Sequence, residues 1–226
     1  MWLSVQAPLA GESGVILGVL LFILAISIAT FTVTTRRATI RARELQIRQW
    51  ARLHGAALLE PSQLVRTPPH LAILEPYRPS VKRALSGPIW TMAELTTIGP
   101  AEAKGKTPRW RLLAYRLPDT SPPWPATGLR PAAHVVSLTD LFGLSSFPSI
   151  SFGDQFMIFG AESAAAQALA DSSVQTMLPP DIGLLLTDRQ LLLDFSSRRF
   201  EIGQWQQVLA IAEPLAEKLA KMGAAS

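Results

Sequence analysis

The sequence contains no cysteine, so disulfides and cysteine-ligated metals are excluded, and the absence agrees with a reducing compartment. Histidine is scarce too. His54, His70 and His134 stand at metal-ligand spacing from no other histidine and from no glutamate, so no metal site is expected. No G-x-S-x-G, H-E-x-x-H or G-x-G-x-x-G pattern occurs. Gly105-Lys106-Thr107 has the look of a phosphate loop, but Pro100 stands where its first glycine belongs. Pro108 then occupies the place of a helix N-terminus, and a loop tip accounts for the triplet better.

Positive charge is absent before the longest apolar run, GVILGVLLFILAISIATFTV from Gly14 to Val33. A cleaved signal peptide needs a basic start, a shorter apolar core and an A-x-A site, and none of these is present. At about 1.5 Å per residue the run spans ~30 Å, the hydrocarbon thickness of a bilayer. An uncleaved transmembrane helix over residues 14–33 is therefore expected, after a short extracytoplasmic tail of residues 1–13. Arg36, Arg37, Arg41, Arg43, Arg48 and Arg52 follow it directly. The positive-inside rule then places the N-terminus outside and the rest of the chain in the cytoplasm.

The net charge of +4 is local to this collar. Residues 36–52 hold six arginines against Glu44, whereas residues 53–226 hold fifteen basic and fifteen acidic side chains. Arg36, Arg37, Arg41 and Arg43 are assigned to lipid head groups, each worth roughly 1 kcal/mol at an anionic surface. The neutral remainder offers no basic patch, so nucleic acid is not an expected partner.

Residues 34–55 read as a basic juxtamembrane helix without proline, with Gly55 as its stop. Pro61, Pro68, Pro69, Pro76 and Pro79 make residues 56–80 an expected irregular connector. Residues 81–226 read as one α+β domain with a mixed, mainly antiparallel sheet. Strands are expected at 89–97, 110–117, 134–138, 155–159, 182–187 and 191–195. Helices are expected at 161–178, broken near Asp171, and near the C-terminus. In that last helix Trp205, Val208, Ala212, Leu215, Leu219 and Met222 form one apolar face, kinked or restarted at Pro214. Five prolines from Pro118 to Pro131 argue against both helix and central strand there.

Few side chains point to chemistry. Asp181, Asp188 and Asp194 lie around a predicted hairpin and suit turns and caps; His134 beside two of them would revive a catalytic reading. Ser197-Arg198-Arg199 could receive a phosphate, though a solvated turn explains it. Phe142, Phe147, Phe152, Phe156 and Phe159 are expected in the core. Trp124, on the proline segment, either meets a partner or pins the loop to its own domain, and the sequence leaves both open.

The order of an anchor, a basic helix ending at His54-Gly55, and FGDQFMIFGAESAAAQAL from Phe152 to Leu169 resembles bacterial single-pass membrane proteins with a cytoplasmic domain of unknown function. The resemblance implies an anchored domain and supplies no activity.

At about 100° per residue, Gly14, Gly18, Ala25 and Ala29 share a sector about 60° wide. Small residues on one face let helix backbones approach closely in lipid. If the helix is unbroken, Ile40, Ile47 and Trp50 continue that side, while Arg37, Arg41, Arg48 and Arg52 lie on the other. The weak point is Thr30 to Thr35, whose β-branched residues disfavour helix. The expectation is a non-enzymatic accessory subunit without cofactor, with the lipid bilayer and other membrane protein subunits as partners. A membrane-tethered ligand-sensing domain, with a concave apolar pocket, is the alternative.

Overall fold

The computed structural model describes residues 10–60, 63–98, 108–170 and 173–223. The chain divides into two units, Met1–Gln49 and Trp50–Ser226. The GKT triplet and the residues around Asp171 lie outside the described residues, as does most of the expected tail.

A single helix, α1 (Ala10–Leu53), runs without interruption through residues 14–53, where a span and a basic helix are expected. It passes through Thr30 to Thr35 without a break because the hydroxyls turn inward. Ser27, Thr30, Thr34, Thr35 and Thr39 donate to the carbonyls four residues back, and Thr32 to the carbonyl three back. Bonded in this way, threonine adds no unsatisfied donor to the helix surface. Gly55 ends the helix in the left-handed region at φ 61°, while the Ala56 N–H reaches back to the Ala51 carbonyl at 2.8 Å.

The second unit is an α+β domain on a nine-stranded sheet in which every pairing is antiparallel. In chain order its strands are β1 (Ala57–Leu58), β2 (Ser80–Ser86), β3 (Trp90–Thr96), β4 (Arg109–Arg116), β5 (Trp124–Pro131), β6 (Ser149–Phe152), β7 (Phe156–Gly160), β8 (Gly183–Asp188) and β9 (Gln190–Asp194). Their spatial order is β1-β2-β3-β4-β9-β8-β5-β7-β6. The β8–β9 hairpin is thus inserted between the first four strands and the later three. Leu184 to Leu186 and Leu191 to Leu193 are all at most 1% exposed, as central strands covered on both faces require.

The α-helices among the described residues of the domain are α2 (Leu138–Leu141), α3 (Ser163–Ala170), α4 (Val174–Met177) and α5 (Ile202–Gly223). One sheet face carries Ala93, Leu95, Trp110, Leu112, Ala114, Leu185 and Leu192, packed with Leu138 and Leu141 of α2. Gly128 on β5 makes room there, since a Cβ would collide with Thr139 of α2. Alternation puts Leu113, Leu191 and Leu193 on the opposite face. There α5 buries Trp205, Val208, Ala212, Leu215 and Leu219, the apolar stripe expected from spacing. The helix runs through Pro214 as one element.

Three expectations are corrected. The connector 56–80 is part of the domain: a 3-10 helix over Pro69–Tyr77 buries Leu71 and Leu74 completely, and β2 begins at Ser80. Residues 134–137 are an irregular lead into α2, which starts at Leu138 with Ser137 as its N-cap. Most of the proline segment's second half is β5, paired with both β7 and β8. It escapes the prohibition on strand proline because Pro125 falls where the register shifts between Trp124 and Thr127, and Pro131 is the last residue.

Candidate functional site

Three places in the molecule could support function. The first is α1. From Leu17 to Val33 every large apolar side chain described is 48–68% exposed, so no described residue buries them. This is a helix long and apolar enough to cross a membrane, with mean hydropathy 1.9 in its best window. Ala25 and Ala29 are exposed on it, Ile40 is exposed and Ile47 half-buried; Gly14 and Gly18 lie within its bounds. At about 100° per residue, Arg36 and Arg43 stand about 40° and 20° from Gly14, inside the same sector. The small-residue face therefore stops at the arginine collar.

The second place is an aromatic cluster at the last turn of α1. Trp50 is 5% exposed and belongs to the domain's core, not to a free helix face. Its ring stands edge-on to Trp205 of α5 at 5.6 Å and to Trp90 of β3 at 6.4 Å, and stacks on His54 at 4.2 Å. The Trp50 carbonyl lies 2.8 Å from His54 Nδ1.

The third is a polar corner where β4 begins and β9 ends. Arg111 of β4 donates from Nη1 to the carbonyls of Ser196 and Arg198, and stands 3.7 Å from Glu94 of β3. Glu94 also meets Arg83 at 3.0 Å. Arg198 grips Asp181 with two donors, Nε at 2.7 Å and Nη2 at 2.6 Å. Its guanidinium holds the Asp181 carboxyl below the usual carboxylate range, against a smaller opposing push from burial. Arg198 is therefore already occupied by a carboxylate, which argues against a phosphate seat at Ser197 to Arg199. Asp188 is the turn residue of the β8–β9 hairpin, at φ 52°.

Asp194, the last residue of β9, is 1% exposed. Its Oδ1 accepts the Ser196 N–H at 2.9 Å and the Ser196 hydroxyl. Burial pushes its pKa above the ordinary carboxylate value, with the hydrogen bonds from Ser196 and the charge of His134 pulling the other way. Among the described residues no hydrogen bond joins His134 to Asp181, Asp188 or Asp194, so they do not assemble the constellation that would revive a catalytic reading. Sequence reasoning treated Asp194 as a cap. A carboxylate closing the run Leu191-Leu192-Leu193 was the available signal, because a strand buried on both faces buries its last residue too.

Trp124 is 6% exposed, so the question of its role resolves towards its own domain. It lines a groove of about 280 Å³ with Pro122, Pro123, Pro125 and the alanines of α3. A second groove of about 300 Å³ lies between Tyr115 and Glu213 and Glu217 of α5. Burial first, and then those two carboxylates, push the Tyr115 hydroxyl above its usual range. Of the five expected core phenylalanines, Phe156 and Phe159 are buried and Phe142 packs on Tyr77 at 5.1 Å, but Phe147 and Phe152 are 41% and 39% exposed. Among the described residues no group of three His, Asp or Glu could hold a metal ion.

Comparison with protein-family models, with curated proteins and with solved structures returned no match.

Proposed function

We propose that the chain is a single-pass membrane protein of the bacterial cytoplasmic membrane, N-terminus outside, serving as a non-enzymatic accessory subunit. In this reading α1 packs by its small residues against helices of a larger membrane assembly, and the domain makes protein contacts in the cytoplasm. The observation that carries it is α1 itself. Its apolar side chains from Leu17 to Val33 are exposed along the whole run, and its hydroxyls are bonded to its own backbone. In water each large side chain left exposed forgoes about 1.5–3 kcal/mol of burial. A bilayer removes that cost, and internally bonded hydroxyls add none on entering it. The arginine collar supports the orientation, and a polar corner already closed by its own ion pairs fits an interaction role.

The absence of cysteine makes the test clean. Single cysteines at Gly18, Ala25 and Leu21 are introduced in native membranes and treated with thiol cross-linkers and lipid-phase probes. We expect protein adducts from Gly18 and Ala25 and mainly lipid-phase labelling at Leu21. Equal lipid labelling at all three, with no adduct, would refute the packing face. Release of the chain by alkaline carbonate would refute the anchor.

A further inference from the structure

The groove between the end of β4 and α5 brings together groups that the membrane reading leaves unused. Tyr115 alternates with Leu113 along β4 onto the sheet face that α5 covers, and it is only 8% exposed there. It nevertheless lines the groove, and among the described residues none hydrogen-bonds to its hydroxyl. A buried tyrosine ordinarily satisfies its O–H within the protein, so an unbonded phenol beside a groove of about 300 Å³ is a polar group open to a ligand.

The facing wall belongs to α5. Glu213 and Glu217 are four residues apart, so their carboxylates share one side of the helix, with Ala216 buried beside them. The single methyl group of Ala216 keeps that wall from filling the space. Both glutamates are exposed, and among the described residues neither has a basic side chain within ion-pair distance. Arg116 also lines the groove but is tied to Asp119 at 2.7 Å, so that pair adds no net charge. Two like charges one helical turn apart therefore face the groove uncompensated. Its apolar side is made by Ile89, 45% exposed, and Pro118.

We propose that this groove binds a primary ammonium on a short apolar stem, with Glu213, Glu217 and the Tyr115 oxygen as its acceptors. An ammonium carries three donors and no acceptor, and the groove offers acceptors from both walls. A guanidinium is planar and best served by two oxygens of one carboxylate, an arrangement that two separate carboxylates and a phenol do not offer. An anion would meet the same two charges with repulsion, and a neutral ligand would leave them unanswered. Burial and then those carboxylates push the Tyr115 hydroxyl above its usual range, so it stays neutral and adds no third charge. The stem lies against Ile89 and Pro118, out of water. None of this depends on what α1 packs against.

The test is isothermal titration calorimetry of the full chain in detergent micelles at about pH 7, where a primary ammonium is charged. The probe is n-butylammonium, butanol is its neutral counterpart, and empty micelles supply the blank. We expect saturable one-to-one binding of butylammonium and none of butanol. Glu213→Gln and Glu217→Gln should each weaken binding about three- to fivefold, the size of one partly screened ion pair. Tyr115→Phe keeps the buried ring and should weaken it about two- to fivefold, one neutral hydrogen bond. Glu75→Gln, which removes an exposed carboxylate outside the groove, should change nothing. N-acetyl-lysine amide has its ammonium on the same four-carbon stem and separates two sources of the cation. Binding at least as tight as butylammonium assigns the groove to a lysine of a protein partner, and tenfold weaker binding assigns it to a free amine. Absence of saturable binding would overturn the proposal, as would butanol binding equally well or Glu75→Gln weakening binding as much as Glu213→Gln. Unchanged affinity in Tyr115→Phe would overturn the part given to the phenol.

Discussion

At the scale of single residues, the two aspartates near the end of β9 behave oppositely because their neighbours differ. Asp181 is partly exposed and faces a bidentate arginine, whereas Asp194 is buried with a serine and a histidine. The Asp181 carboxyl is held below its ordinary value, so its contribution is present above the unfolded-state pKa near 4 and fades as pH falls through the folded value. We expect Asp181→Asn to cost about 1 kcal/mol at neutral pH, the upper end for a screened surface pair, because the geometry is bidentate. Denaturant titrations at pH 7 and at strongly acid pH check it. The difference from wild type should vanish in acid, where both proteins carry a neutral group at 181.

Elements show how much of the fold can be read from residue order. The C-terminal helix was legible because Trp205, Val208, Ala212, Leu215 and Leu219 repeat at three- and four-residue steps, and all five are buried. The β8–β9 hairpin was legible from two leucine runs around Asp188-Arg189. Strand β5 was not, because whether a proline breaks a strand depends on register, and the bulge beside Pro125 is a property of the pairing. Leu71 and Leu74 were missed for a related reason: a 3-10 helix framed by Pro69 and Pro76 has no amphipathic period long enough to signal burial. In the candidate sites, the long apolar helix and its basic flank were legible, but the fate of Trp50 and Asp194 was decided by partners distant in sequence. Pro214 gives this scale its own expectation. It is exposed, inside α5, and removes one donor from an otherwise regular helix. Pro214→Ala restores that N–H without touching the buried stripe, and should raise stability by about 1–3 kcal/mol, measured by urea unfolding with circular dichroism.

For the molecule as a whole, the division between units falls inside a helix, and the last turn of α1 belongs with the domain. Trp50 and Ala51 are 5% and 2% exposed, and the Trp50 ring meets elements that are far apart in sequence, β3 and α5. A sequence-based boundary at Gly55, which looks natural because the helix ends there, would cut this aromatic contact out of the core. Removing a large buried aromatic ordinarily costs about 3–5 kcal/mol, a sizeable share of the 5–15 kcal/mol that holds a domain together. A fragment beginning at Ala56 should therefore unfold at markedly lower denaturant than one beginning at Gln46, which keeps Trp50 and the turn before it. Trp50→Ala in the longer fragment should reproduce most of that loss. If the two fragments unfolded together, Trp50 would be a passenger on the domain surface and the last turn of α1 would contribute nothing to the domain's stability. The expected result makes that turn, from Trp50 onward, a structural part of the domain.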